Sequence, residues 1–112
     1  MEIADAKEAP MIRHCVFLRF KNDIAEETID ELLADFALMK NVVPGLSAVV
    51  AGKNNSREGL DRGFRHGFTM DLDNEASREA YLSHPARAAL AERLLPCLDG
   101  GLDGVMVADF TL

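Results

Sequence analysis

The spacing of hydrophobic positions changes several times along the chain, and each change marks an element. Residues 12–20, IRHCVFLRF, alternate: Ile12, His14, Val16, Leu18 and Phe20 share one side, and Cys15 and Phe17 the other, which predicts a strand. The period then lengthens. Ile29, Leu32, Leu33, Phe36, Met39 and Val43 recur at helical spacing and predict an amphipathic helix over residues 24–42, with Asp23 and Glu26 placed as a capping box at its start. Pro44 and Gly45 close it. SAVVAG (47–52) and FRHGFTMDL (64–72) read as two further strands, joined by a polar connection, KNNSREGLDRG, too long for a tight hairpin. Asn74 and Glu75 form a second helix start, running to about Ser83. Pro85 breaks that helix, because proline disfavours helical geometry one residue before itself yet suits a first turn. A second helical piece over 86–95 puts Leu90 and Leu94 on one face. Pro96, Gly100, Gly101 and Gly104 close it, and GVMVADFTL is the last strand.

The order β-α-β-β-α-β predicts an α+β, ferredoxin-like protomer with a four-stranded antiparallel sheet. Two helices cover only one face of such a sheet. The other face is apolar as well, through Cys15, Phe17 and alternate residues of the last strand, so it needs a cover of its own. A second copy packed sheet to sheet about a two-fold axis is the simplest, with Arg13 and Arg19 at the interface rim. A homodimer is expected.

Composition removes whole classes of function. The 112 residues suffice for one domain, expected over 11–112 behind a mobile extension over 1–10. With 48% apolar and 28% charged residues the chain has the makings of a core. A net charge of −7 leaves no dominant basic face, so no nucleic-acid partner is expected. No apolar run approaches the ~20 residues that span a bilayer, and MEIADAKEAP lacks the apolar centre of a secretory signal, so the expected location is cytoplasmic with no membrane partner. Cys15 and Cys97, without CxxC spacing, read as reduced, buried, small hydrophobes rather than as a catalytic nucleophile. The three histidines are dispersed, with neither HxH nor HExxH spacing, so no metal site is expected; a carboxylate-and-carbonyl Mg²⁺ or Ca²⁺ site would leave no signature. No glycine-rich nucleotide motif is present, and no cofactor is expected.

Four segments, HCVFLRFK, NNSREGLDRGFRHGF, AYLSHPARAAL and VADFTL, occur in order with spacing that resembles the stress-responsive A/B barrel domain family over about residues 12–112. The resemblance implies a protomer that dimerises through its sheets into an α+β barrel, with a cavity between helices and sheet in each protomer. In a plant polyketide-cyclising member, a histidine acts as base and a tyrosine polarises a substrate carbonyl. That chemistry removes a proton α to a carbonyl while a donor stabilises the enolate oxygen. The matching stretch here is Tyr81-Leu82-Ser83-His84-Pro85-Ala86-Arg87. Tyr81 and His84 match, but Arg87 stands where the family's catalytic histidine would be, and arginine stays protonated at neutral pH. By the same resemblance His14 and His66 correspond to pocket-facing histidines.

The residues therefore carry competing readings. His84 before Pro85 is a helix cap or an entrance residue. Arg87 is a solvated side chain or a fork for a ligand carboxylate. His14 and His66 are satisfied core histidines or two polar points on one cavity wall. Arg57, Arg62, Arg65 and Lys53 make the one basic cluster of an acidic chain. The expected function is binding of a small apolar or aromatic molecule in a per-protomer cavity. His14 or His66 would serve as acid/base and Tyr81 as carbonyl donor, with Val16, Leu18, Leu32 and Phe36 on the wall and His84 and Arg87 flanking the entrance. The alternatives are a non-enzymatic stress-tolerance protein and a cofactor-free monooxygenase.

Overall fold

The computed structural model describes residues 10–112, so the extension expected over residues 1–10 lies, but for Pro10, outside the described residues. The described chain runs β1 (Ile12–Leu18), α1 (Glu26–Ala37), β2 (Leu46–Lys53), β3 (His66–Leu72), α2 (Glu75–Leu82), α3 (Pro85–Leu94) and β4 (Val105–Thr111). The four strands form one antiparallel sheet in the order β2-β3-β1-β4, the ferredoxin-like arrangement the element order predicts. None of the helices formed by the described residues is long and apolar enough to cross a membrane.

The register explains the two faces. His14 lies opposite Met70 on β3 and opposite Asp109 on β4, and Val16 lies opposite Phe68 and Val107. With side chains alternating along each strand, this set points toward the helices. Phe36 of α1 stacks on Phe68 at a centroid distance of 4.8 Å, and the core gathers Leu18, Ile29, Leu32, Met70, Leu72, Tyr81 and Leu94. Gly67 lets β1 and β3 close up, since a Cβ there would stand 2.5 Å from the Val16 carbonyl oxygen. A register shift between Leu46 and Ala48 turns Val50 outward and Lys53 inward, beside His66.

The helix boundaries differ from expectation at α1. It begins at Glu26 rather than residue 24, its N-cap is Ala25, and no side chain caps it. The capping box of Asp23 and Glu26 does not form, because the Glu26 carboxylate turns to Lys53 and His66. The helix ends at Ala37, and a 3₁₀ turn over Leu38–Asn41 keeps Met39 buried. Gly45, at φ +87°, adopts the left-handed conformation that ends this segment. At the second helix the expectation holds: the Asn74 side chain accepts from the Ser77 N–H, and His84 caps α3 with Pro85 in its first turn. Cys15 is buried as expected, but Cys97 is only half-buried, with its thiol 3.6 Å from the Arg93 carbonyl. Both thiols are free.

Candidate functional site

The helices cover β1 and β3 more fully than the edge strand β4, whose inward Val107 remains 53% exposed. A cavity of about 290 Å³ opens there, between β1, β4 and the α2–α3 segment. Val16, Phe36, Phe68 and Leu94 supply an apolar wall, and His14, Tyr81 and Arg87 supply its polar groups. This mixture of apolar wall and few convergent polar groups suits a small organic molecule.

The polar groups form a chain. His14 is buried, and its Nδ1 lies 2.7 Å from Asp109 Oδ1. The other carboxylate oxygen, Oδ2, accepts from Arg78 Nη1 at 3.3 Å. An ionised carboxylate only accepts, so this contact places the ring proton on Nδ1 and leaves the Nε2 lone pair of a neutral His14 free. Tyr81, fully buried, meets the His14 ring edge to face at 5.7 Å. Burial pushes its phenol pKa up, with the Arg87 charge drawing it partly back, so the hydroxyl keeps its proton at neutral pH and can donate. The Arg87 guanidinium sits 5.8 Å over the Tyr81 ring and donates to the Leu82 carbonyl at 3.4 Å. Among the described residues no carboxylate pairs with it. An imidazole, a neutral phenol and a cation without a carboxylate partner thus line one space.

The expected site residues are only partly gathered here. His14, Tyr81, Arg87, Val16 and Phe36 line the cavity. Leu18 and Leu32 belong to the packed core instead. His84 Nδ1 accepts from the Ala86 N–H at 3.0 Å and is spent on the cap. His14 and His66 do not share a wall: His66 lies four pairs along β1, opposite Leu18, and its Nε2 is 3.2 Å from Glu26 Oε1 with Phe20 edge-on at 5.4 Å. The cause is register, since the same inward parity on neighbouring strands does not fix position along them. Sequence reading missed Asp109 and Arg78. The signal for Asp109 was its parity: it is the polar member of the inward set Val105, Val107, Asp109 and falls directly opposite His14. Among the described residues no group of three His, Cys, Asp or Glu side chains is clustered to hold a metal ion.

Comparison with known proteins identifies relatives of the chain. The family model of the stress responsive A/B barrel domain matches residues 12–112. The chain is similar to the stress-response A/B barrel domain-containing protein HS1 of Arabidopsis thaliana, with 30% identity over 99 residues, 88% of this chain and 87% of the relative. It is also similar to the olivetolic acid cyclase of Cannabis sativa, with 22% identity over 81 residues, 72% of this chain and 80% of the cyclase. Among solved structures, a dimeric ferredoxin-like protein of unknown function from Jannaschia sp. CCS1 superposes with a TM-score of 0.83 at 26% identity, covering 91% of this chain and 99% of that one.

Proposed function

The chain belongs to the stress-responsive A/B barrel domain family, and on that premise we propose that it works as a homodimer, each protomer binding a small apolar or aromatic carbonyl compound in the His14 cavity. The observation that carries this reading is the Asp109–His14 pair, held at 2.7 Å on the wall of an otherwise apolar cavity. The substrate carbonyl oxygen accepts from the Tyr81 hydroxyl or from Arg87. His14 Nε2 takes the proton from the α-carbon: that C–H bond breaks, an N–H bond forms, and the electron pair moves onto the carbonyl oxygen as an enolate. Asp109 stabilises the resulting imidazolium, as the carboxylate of a hydrolytic triad does. Such proton transfer contributes about 10²- to 10⁴-fold to rate, and donors aimed at the developing oxyanion add to it. His14 thereby takes the base role that the family resemblance assigns to the position of Arg87, while Arg87 favours a substrate with anionic character. Similarity to an olivetolic acid cyclase supports carbonyl chemistry in this fold. No cofactor enters the scheme, and two free thiols suit a reducing, cytoplasmic location.

The second copy belongs on the outer sheet face. Phe17, Val50, Met106 and Phe110 are exposed there in the single protomer, and Val50 is 70% exposed. Patches of this kind mark association surfaces, and the Jannaschia protein of the same fold is described as dimeric.

The test is deuterium exchange at the α-carbon of aryl methyl ketones and β-diketones, followed by proton NMR, alongside the thermal shift each compound causes. We expect exchange by the wild-type protein and a loss of about 10²-fold or more in His14→Gln and Asp109→Asn, with the ligand-dependent rise in Tm retained. Equal exchange in both variants, or no compound raising Tm, would falsify the reading.

A further inference from the structure

A second cavity, of about 370 Å³, opens at the far end of the inner sheet face, where the chain leaves β1. We propose that it is a binding site for small organic anions, bearing a carboxylate or a phosphate, separate from the His14 cavity. Its wall carries four permanent cations, Arg19, Lys21, Lys53 and Arg65, against two carboxylates, Glu26 and Asp99. With Asp61, which pairs with Arg65 from outside the lining, the local balance is still one positive charge in a chain of net charge −7. A concave wall with an excess of one sign concentrates counter-ions more than the same charges do on a flat surface.

The existing pairs leave donor capacity. Lys53 Nζ is 3.3 Å from Glu26, which also serves His66, and a lysine has three donors. Arg65 Nε is held by Asp61 only at 3.9 Å, and among the described residues no carboxylate comes within pairing distance of Lys21. Arg19, by contrast, is fixed in place. Its guanidinium lies 5.2 Å over the Phe64 ring, donates to the Asp99 carbonyl at 3.1 Å and pairs with the Asp99 carboxylate at 3.4 Å, which leaves part of its donor fork for a further anion. Gly63, at φ +86°, closes on the Arg19 stem so nearly that a Cβ would stand 2.9 Å from its Cδ. A cation that is already ordered loses little freedom when an anion arrives. The Lys53 hydrogen bond, ahead of that from His66, holds the Glu26 carboxyl below the usual range. Phe20, Ile24 and Ile29 complete the lining with apolar surface for the organic part of a ligand.

The experiment is an NMR titration of the full chain with inorganic phosphate and, separately, with hexanoate. We expect saturable shifts at the His66 ring and at the Lys21 and Gly63 amides, with the His14 ring unmoved. Saturation by phosphate alone assigns the phosphate source, and by hexanoate alone the carboxylate source; either supports the site. Affinity should fall about 10-fold or more in Lys21→Gln combined with Lys53→Gln, since a charge-assisted hydrogen bond is worth about 1.5–3 kcal/mol. Both positions are exposed, so folding should survive. Non-saturating shifts, shifts centred on His14, or unchanged affinity in the double variant would overturn the proposal.

Discussion

Tyr81 shows how one buried residue can hold two roles apart. Its ring packs in the core while the residue also lines the cavity, and the hydroxyl is separable from the ring by substitution. Burial raises the phenol pKa in the folded protein, so the neutral form is favoured there over the unfolded chain, where the ordinary value is 10.0. The contribution is therefore fully present below about pH 10, and it is lost as pH rises toward the raised folded value. Urea titrations of the wild type and Tyr81→Phe at pH 7 and pH 10.5 should show this: similar stability at pH 7, and a smaller alkaline loss in the variant. An identical alkaline loss in both proteins would show that the phenol is not desolvated. A ligand carbonyl that accepts from this hydroxyl would bind Tyr81→Phe more weakly at both pH values.

At the scale of elements, the break between α2 and α3 is local chemistry. Pro85 lacks an N–H and fixes its own φ, so it takes a first-turn position, and His84 in extended conformation lends its Nδ1 to the Ala86 N–H. His84→Ala should cost about 1 kcal/mol, the usual worth of a lost cap, and His84→Asn should recover most of it. Chemical denaturation measures both, and ligand affinity at the His14 cavity should stay unchanged in each. A large loss of affinity in both variants would instead give His84 a place at the cavity. This junction, the Asn74 cap and the glycine at position 45 were legible in the sequence because each depends on residues within a few positions. The start of α1 was not. Glu26 had the right spacing for a capping box, but partners from β2 and β3 outcompete the backbone N–H for its carboxylate.

Across the whole molecule, the proposed dimer rests on the outer sheet face. Val50 and Phe110 are its most exposed large apolar residues, and the Arg13–Asp71 pair, at 2.8 Å, crosses the same face from β1 to β3. Val50→Asp or Phe110→Asp should shift a dimer toward monomer in sedimentation at micromolar concentration, with the protomer fold retained by circular dichroism. A wild-type monomer, or variants that stay dimeric, would remove the sheet interface. Arg13 holds the Asp71 carboxyl below its usual range, so the pair's contribution is present above that range and lost as pH falls through the lowered value. The pair is exposed and screened by solvent, so any acid weakening of the dimer from this source should be small and confined to below about pH 4.

The amino-acid sequence by itself determined the order of elements, the inward face of β1 and β3, the helix break at Pro85 and the family. Period-2 and helical spacing, caps and turn residues act over a few positions, and a chain of this length has few ways to combine them. It also marked His14, Tyr81 and Arg87 as the residues to watch. Only the tertiary structure decided what each of them meets. Asp109 reaches His14 across a separation of 95 residues, through the β1–β4 register. The same register separates His66 from His14 and hands it to Glu26 at the mouth of another cavity. Parity along a strand is written locally, but position along the neighbouring strand is set by inter-strand pairing and by the bulge and close approach that fix it, and those are properties of the assembled sheet.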